Sequence, residues 1–236
     1  MEIAWRPPNL PPGLLVAFST RGSAPQGIAS PTEYLARRFA EALSHPEIPI
    51  VRATQVHGRA AAEIAQAPPK GAARDEGECD VLATRLPGVA LVVQTADCVP
   101  IVLAGEGAIA VVHAGWRGSA KNAATEGVAA LERLGEEPAR LRAYLGPSIG
   151  ACCYEVGGEV ASQFAGEFVR RSCKGRFHLD VAAVNRSQLE AAGVPASAIS
   201  SHPACTMCGG PRYASYRRDG AAAGRMIALA ARLTPE

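Results

Sequence analysis

The chain lacks an excess of either charge: Lys and Arg number 24, Asp and Glu 22, and the formal net charge is +2. A surface for nucleic acid or for an anionic membrane needs a strong basic excess, so neither partner is expected. No stretch of about 18 residues is free of charges and Gly/Pro breaks, which excludes a spanning helix. The opening, MEIAWRPPNLPPGLL, carries an acidic residue and four prolines before any apolar run, and no secretory signal is read there. Internal repeats, low-complexity tracts and long charge runs are also missing. The seven cysteines are an odd number, with Cys152 and Cys153 adjacent, in a chain of 236 residues that is too long to need disulfide staples. That usage points to reduced thiols and a cytoplasmic location, with cysteines serving packing or chemistry.

What is present is an ordinary globular composition, 48% hydrophobic, 5% aromatic and 19% charged, long enough for one large domain with a sizeable core. Short Val/Ile/Leu-rich runs bounded by Gly, Pro or Asp predict strands at Leu14–Thr20, Pro49–Val56, Val89–Thr95, Pro100–Ala104, Ala108–Val112 and Leu141–Leu145. A helix is predicted over Pro31–Leu43, opened by a capping box at Ser30 to Glu33 with Pro at the first helical position. Further helices are predicted over Ser119–Leu134, Gly158–Arg171, from an Asp180 cap to Ala192, and over Ala221–Leu233. Residues 65–78, rich in Ala, Pro, Gly and charge, read as a mobile surface loop. Strands and helices mix without strict alternation, so the fold class expected is α/β or α+β, one domain with mixed sheets.

Metal-capable side chains fall at three strand ends. His57 ends IVRATQV, Cys98 lies just past ALVV, and His113 ends AIAVV. Strands of one sheet would bring all three to one rim, where α/β proteins place ligands. Two imidazoles and a thiolate make a three-point zinc site with an open fourth position, as catalytic zinc requires. On spacing alone a second reading stands beside it, in which both histidines are satisfied core residues and Cys98 is a small core hydrophobe. Gln55 and Asp97 are the polar neighbours. After His113, the loop Gly115-Trp-Arg-Gly118 leads into a helix, whose free amides and Arg117 fork suit an anion.

Other signals are weaker. His45-Pro-Glu47 with Pro203-Ala-Cys205-Thr-Met-Cys208 imitates a zinc deaminase signature but fails on spacing. With no second pair, Cys205 and Cys208 read as two thiols near a turn. Tyr213 to Gly220 would form either a pocket wall or a surface strand, and Glu155 either a general base or a helix cap. The five histidines, His45, His57, His113, His178 and His202, are too few for a multicopper centre once two hold one metal.

TQVHG at 54–58, TADC at 95–98, HAGWRG at 113–118, LGPSIGACCYEVG at 145–157 and SYRRDG at 215–220 together resemble the YfiH family. This family is also called laccase-domain, polyphenol-oxidase-like or peptidoglycan-editing-factor. The resemblance covers roughly positions 14–227. It implies a single catalytic domain over 1–236, layered α/β/β/α, and a metal site of His57, Cys98 and His113. It further implies a zinc-dependent purine nucleoside phosphorylase that also deaminates adenosine and cleaves methylthioadenosine, with purine nucleosides and phosphate as its small-molecule partners. Copper in place of zinc, giving a polyphenol oxidase, is an alternative. So are a metal-free cysteine hydrolase with Cys98 as nucleophile, acting on peptidoglycan precursors, and a non-catalytic metal-stabilised protein. Asp97 and Gln55 are candidates for accepting a proton or for orienting a ligating histidine, and Arg117 and Gly118 for phosphate. The family's NLG, VGD and NR elements are missing after Ser19-Thr-Arg21, and Ala36 stands near the place of the NR arginine. Arg37 or Arg21 would have to take over that phosphate contact. Cys79 stands where the family usually has a small residue or Asp, and reads as an extra thiol near the site or as a packing residue.

Overall fold

Consecutive side chains of the central strands point into different cores, and that alternation builds the molecule. The computed structural model describes residues 1–172 and 175–234. Its strands are β1 (Ile3–Trp5), β2 (Leu14–Ser19), β3 (Ile50–Thr54), β4 (Ala61–Ile64), β5 (Ala73–Glu78), β6 (Val81–Thr84), β7 (Ala90–Thr95), β8 (Val99–Ala104), β9 (Ile109–Ala114), β10 (Arg142–Leu145), β11 (Glu155–Val156), β12 (Val169–Arg171), β13 (Phe177–Leu179), β14 (Ile199–Ser201) and β15 (Met226–Arg232). Its helices are α1 (Pro31–Ala42), α2 (Trp116–Ala120), α3 (Ala123–Arg133), α4 (Gly158–Ala161), α5 (Val181–Ala191) and α6 (Tyr216–Asp219).

Two mixed six-stranded sheets run in the orders β1-β2-β15-β7-β3-β5 and β14-β10-β8-β9-β6-β4, with a small β11-β13-β12 sheet at the side. Val16 and Phe18 of β2 and Leu91 and Val93 of β7 meet Leu82, Val102, Ile109 and Val111 of the second sheet in a core between the sheets. Leu15, Ala17, Val92 and Leu229 face outward, under Leu35, Ala36 and Phe39 of α1. On the far side, Ile101, Leu103, Ala110 and Val112 pack beneath α3 and α5. Gly127 lets α3 approach closely, because a Cβ there would lie 2.6 Å from Val112. The result is the layered α/β/β/α single-domain fold that the sequence led one to expect.

All six predicted strands form, as do the helix capped by Ser30 and the helix capped by Asp180. Four local readings are corrected. Residues 226–232 are β15 rather than part of a helix, seated between β2 and β7. Their apolar run is buried on both faces, and such a run has no period that separates strand from helix. The helix expected over 119–134 begins at Trp116 and breaks at Asn122, which takes a left-handed φ of 62°. Only Gly158–Ala161 of the third helix forms, and Val169–Arg171 pairs with β13 instead. The expected loop at 65–78 ends in β5, which pairs in parallel with β3.

Candidate metal centre and its surroundings

The connection from β7 to β8 passes from one six-stranded sheet to the other, and the candidate site forms at this crossing. His57 follows β3 of the first sheet, Cys98 lies in the connection, and His113 lies on β9 of the second. The rim therefore belongs to two sheets, not to one. One ligand atom from each of the three residues lies within 4.8 Å of the others, and the two imidazole rings meet edge to face at 4.8 Å between centroids. Gly115 makes this convergence possible, since a Cβ there would sit 2.8 Å from Cys98 Sγ and 3.1 Å from His57 Cδ2. His57 and Asp97 both hold left-handed φ values, 58° and 88°. Non-glycine residues adopt such values chiefly where surrounding contacts impose them.

Asp80 organises the histidines. It is fully buried, and its Oδ1 accepts from His113 Nδ1 at 2.7 Å and from the His57 amide at 3.1 Å. Its Oδ2 accepts from the amides of Gly58, at 2.6 Å, and Val56, at 3.3 Å. Burial opposes ionisation of Asp80, but His113 and these amides outweigh it and hold the carboxyl below its usual range. A carboxylate only accepts, so His113 carries its proton on Nδ1 and turns Nε2 toward Cys98. Burial would raise the Cys98 thiol, yet the His113 and His57 imidazoles bring it down to about 6. Burial would likewise lower His113, but the Cys98 thiolate and Asp80 raise it to about 9. The Cys98 thiolate and the Nε2 of a His113 imidazole held in this tautomer, with His57 beside them, are a donor set suited to a divalent metal.

The remaining predicted residues separate. Arg117 is exposed at the start of α2, four positions after His113, with its guanidinium 4.3 Å from the Trp116 ring centroid. Gly118 packs closely on the Gly58 carbonyl. The helix they enter, α2, has only five residues, so its dipole is small. Asp97 is not a free base: its carboxylate accepts from Thr206 Oγ1 at 2.6 Å and from the Arg217 amide at 2.7 Å. Gln55 is likewise occupied at both ends, with Nε2 donating to the Gln94 carbonyl and Oε1 accepting its amide, each at 2.8 Å. Arg37 donates to the carbonyls of Pro46, Ile48 and Ala72, and so anchors α1 rather than reaching the centre. Arg21 pairs with Asp219 at 3.2 Å. Glu155 pairs with Arg176 at 2.8 Å. Cys79 is buried in the core between the sheets, its thiol pushed up to about 11 by burial and nearby acidic groups. Of the other histidines, His178 bonds the Ala151 carbonyl and His202 packs between Trp5 and Tyr213.

Three features escaped the sequence reading. Asp80 was hidden as one acid among several in RDEGECD. Tyr154 is pushed up to about 12 by burial and by the charges of Cys98 and Asp97, and Arg217 stands 5.2 Å from its ring centroid. Cys205 and Cys208 do have a second pair, Cys152 and Cys153, and the four sulfurs lie within 4.8 Å of one another.

Comparison with known proteins places the whole chain. The sequence model of the family described as multi-copper polyphenol oxidoreductase laccase matches residues 31–232. Adenosine deaminase RL5, from an unknown prokaryotic organism, is 43% identical over 155 residues, which are 62% of this chain and 59% of that protein. The match thus spans less than two thirds of that relative. A purine nucleoside phosphorylase of Deinococcus radiodurans is 40% identical over 198 residues, 81% of this chain and 74% of its own. The crystal structure of YlmD from Geobacillus stearothermophilus superposes with a TM-score of 0.80 at 30% identity, covering 94% of this chain and 93% of that one.

Proposed function

Because the chain belongs to the YfiH family, whose sequence model is described as multi-copper polyphenol oxidoreductase laccase, we propose that it is a zinc-dependent purine nucleoside phosphorylase with adenosine deaminase side activity. The observation that carries this reading is the convergence of His57, Cys98 and His113 on one point, with the exposed Arg117 four positions after His113. Three protein ligands leave a fourth position for substrate, and the donor set of two imidazoles and one thiolate suits zinc. The names of the two relatives supply the substrate class. A multicopper centre does not fit, because among the described residues only two imidazoles meet.

His57, Cys98 and His113 would hold the ion, with Asp80 fixing the His113 tautomer. Zinc, when bound, supplies a Lewis acid that orients phosphate or lowers the pKa of a water. In phosphorolysis, a phosphate oxygen bonds to ribose C1′ as the bond from C1′ to the purine nitrogen breaks, and the departing purine takes up a proton. The Arg117 fork, already stacked on Trp116, binds the phosphate dianion. The Tyr154 phenol, protonated at neutral pH, is a hydrogen-bond donor at the edge of the site.

Turnover of inosine with phosphate tests the reading. The parent should release hypoxanthine, His113→Ala should lose the triad's zinc and the activity, and Arg117→Ala should raise the KM for phosphate roughly tenfold or more. Unchanged turnover of inosine and adenosine by Arg117→Ala would remove that arginine from the site. The closeness of the Cys98 thiol to the His113 and His57 imidazoles favours one rival, a cysteine hydrolase. A metal-free purified protein whose Cys98 reacts rapidly with iodoacetamide would replace the phosphorylase reading with it.

A further inference from the structure

A second sulfur cluster lies apart from the triad. Cys152 and Cys153 sit in a turn after the 145–150 segment, while Cys205 and Cys208 sit in a loop more than 50 positions later. The two segments are joined by a parallel bridge between Ser148 and Cys205 and by the Thr206 amide donating to the Ser148 carbonyl at 2.9 Å. We propose that Cys152, Cys153, Cys205 and Cys208 bind a second, structural zinc ion as four thiolates, clamping these segments together beside the catalytic centre.

The spacing of the sulfurs fits the ion. All four lie within 4.8 Å of one another, and Cys152 Sγ is 3.7 Å from Cys208 Sγ. A tetrahedron with zinc–sulfur bonds of about 2.3 Å has edges of about 3.8 Å. The separation is far longer than a disulfide bond and close to such an edge. The loop is also shaped to hold negative sulfur. The Gly150 amide donates to Cys205 Sγ at 3.2 Å, and the amides of Met207 and Cys208 point at the same atom. Four thiolates held at this distance would repel one another, and a dication at their centre offsets that charge.

The loop is braced before any ion arrives, because Arg218 Nη1 donates to the carbonyls of Thr206, Met207 and Gly210, each at 3.0 Å. From there the connections lead to the triad. Thr206 holds Asp97, which is next to Cys98. Tyr154 directly follows Cys153, and Arg217 donates to the Glu155 carbonyl at 2.6 Å. A closed four-ligand site here fixes the wall that carries Tyr154 and Arg217 without touching substrate.

Zinc content and thiol mapping of the whole chain test the proposal. The parent should carry two zinc ions per chain, Cys98→Ser one, and the double variant Cys152→Ser/Cys208→Ser one. In the native protein the four thiols should resist iodoacetamide until a chelator is added. Should the double variant fail to fold, the Cys98→Ser protein loaded with cobalt should show the intense sulfur-to-metal charge-transfer band of a tetrahedral four-thiolate ion. A single zinc that survives Cys98→Ser but not the double change still supports this site, so its fate is separate from the nucleoside reading. Equal zinc in the parent and the double variant, free labelling of all four thiols before chelation, a Cys152–Cys208 disulfide in the freshly purified protein, or cobalt lacking the thiolate band would each overturn it.

Discussion

Asp80 touches no substrate, yet it decides how two histidines stand. Asp80→Asn keeps the shape but replaces a carboxylate oxygen with an amide and weakens the hold on the His113 proton. Metal affinity should fall roughly 10- to 100-fold, read by competition with a chelating dye. An unchanged affinity would mean that the backbone alone orients the ring. Gly115→Ala places a methyl 2.8 Å from Cys98 Sγ, against ligands held on separate sheets. The variant should fold, by circular dichroism, and bind zinc more weakly than the parent. The metal-stripped protein offers a pH test. The Cys98 thiol lies at about 6 against an ordinary 9.0, so the charged form persists above about pH 6 and is lost below it. Alkylation of Cys98 by iodoacetamide should therefore reach its half-maximal rate near pH 6, and a midpoint near 9 would refute the pairing with His113.

His57, Cys98 and His113 could be singled out in the sequence as candidates because each lies at or just past an apolar run next to a turn. For Asp97, Gln55 and Arg37 the sequence could not show the surroundings, because each of these side chains is held by partners distant in the chain. Asp97 joins the β7–β8 connection to Thr206 and to the start of α6. Asp97→Ala would leave a buried hydroxyl and an amide without their acceptor, at a cost of about 1–3 kcal/mol in urea unfolding. A change well below that would show that water replaces the carboxylate. The elements followed the same rule. Strands with flanking turn residues and helices with their own caps were readable, since local hydrogen bonds define them. The break at Asn122 and the short α4 depend on what the chain meets afterwards.

At the scale of the molecule, β15 closes the first sheet. The last strand of the chain lies between β2 and β7 and is buried on both faces, from Met226 to Ala231. Amides of Ile227–Ala231 should be among the slowest to exchange with deuterium, with protection close to that of global unfolding. Rapid exchange there would contradict its central position. Its alanine-rich sequence favours a helix in isolation, and burial between two neighbours overrides that preference. Composition and strand patterning determined by themselves the mixed α/β fold class, and motif spacing singled out His57, Cys98 and His113 as candidates. Each of these rests on local pattern or on residue counts. Only the tertiary structure decided that the triad spans two sheets, that Asp80 sets its tautomer, and that two cysteine pairs meet. Those facts depend on contacts between segments tens of residues apart, which neither periodicity nor propensity encodes.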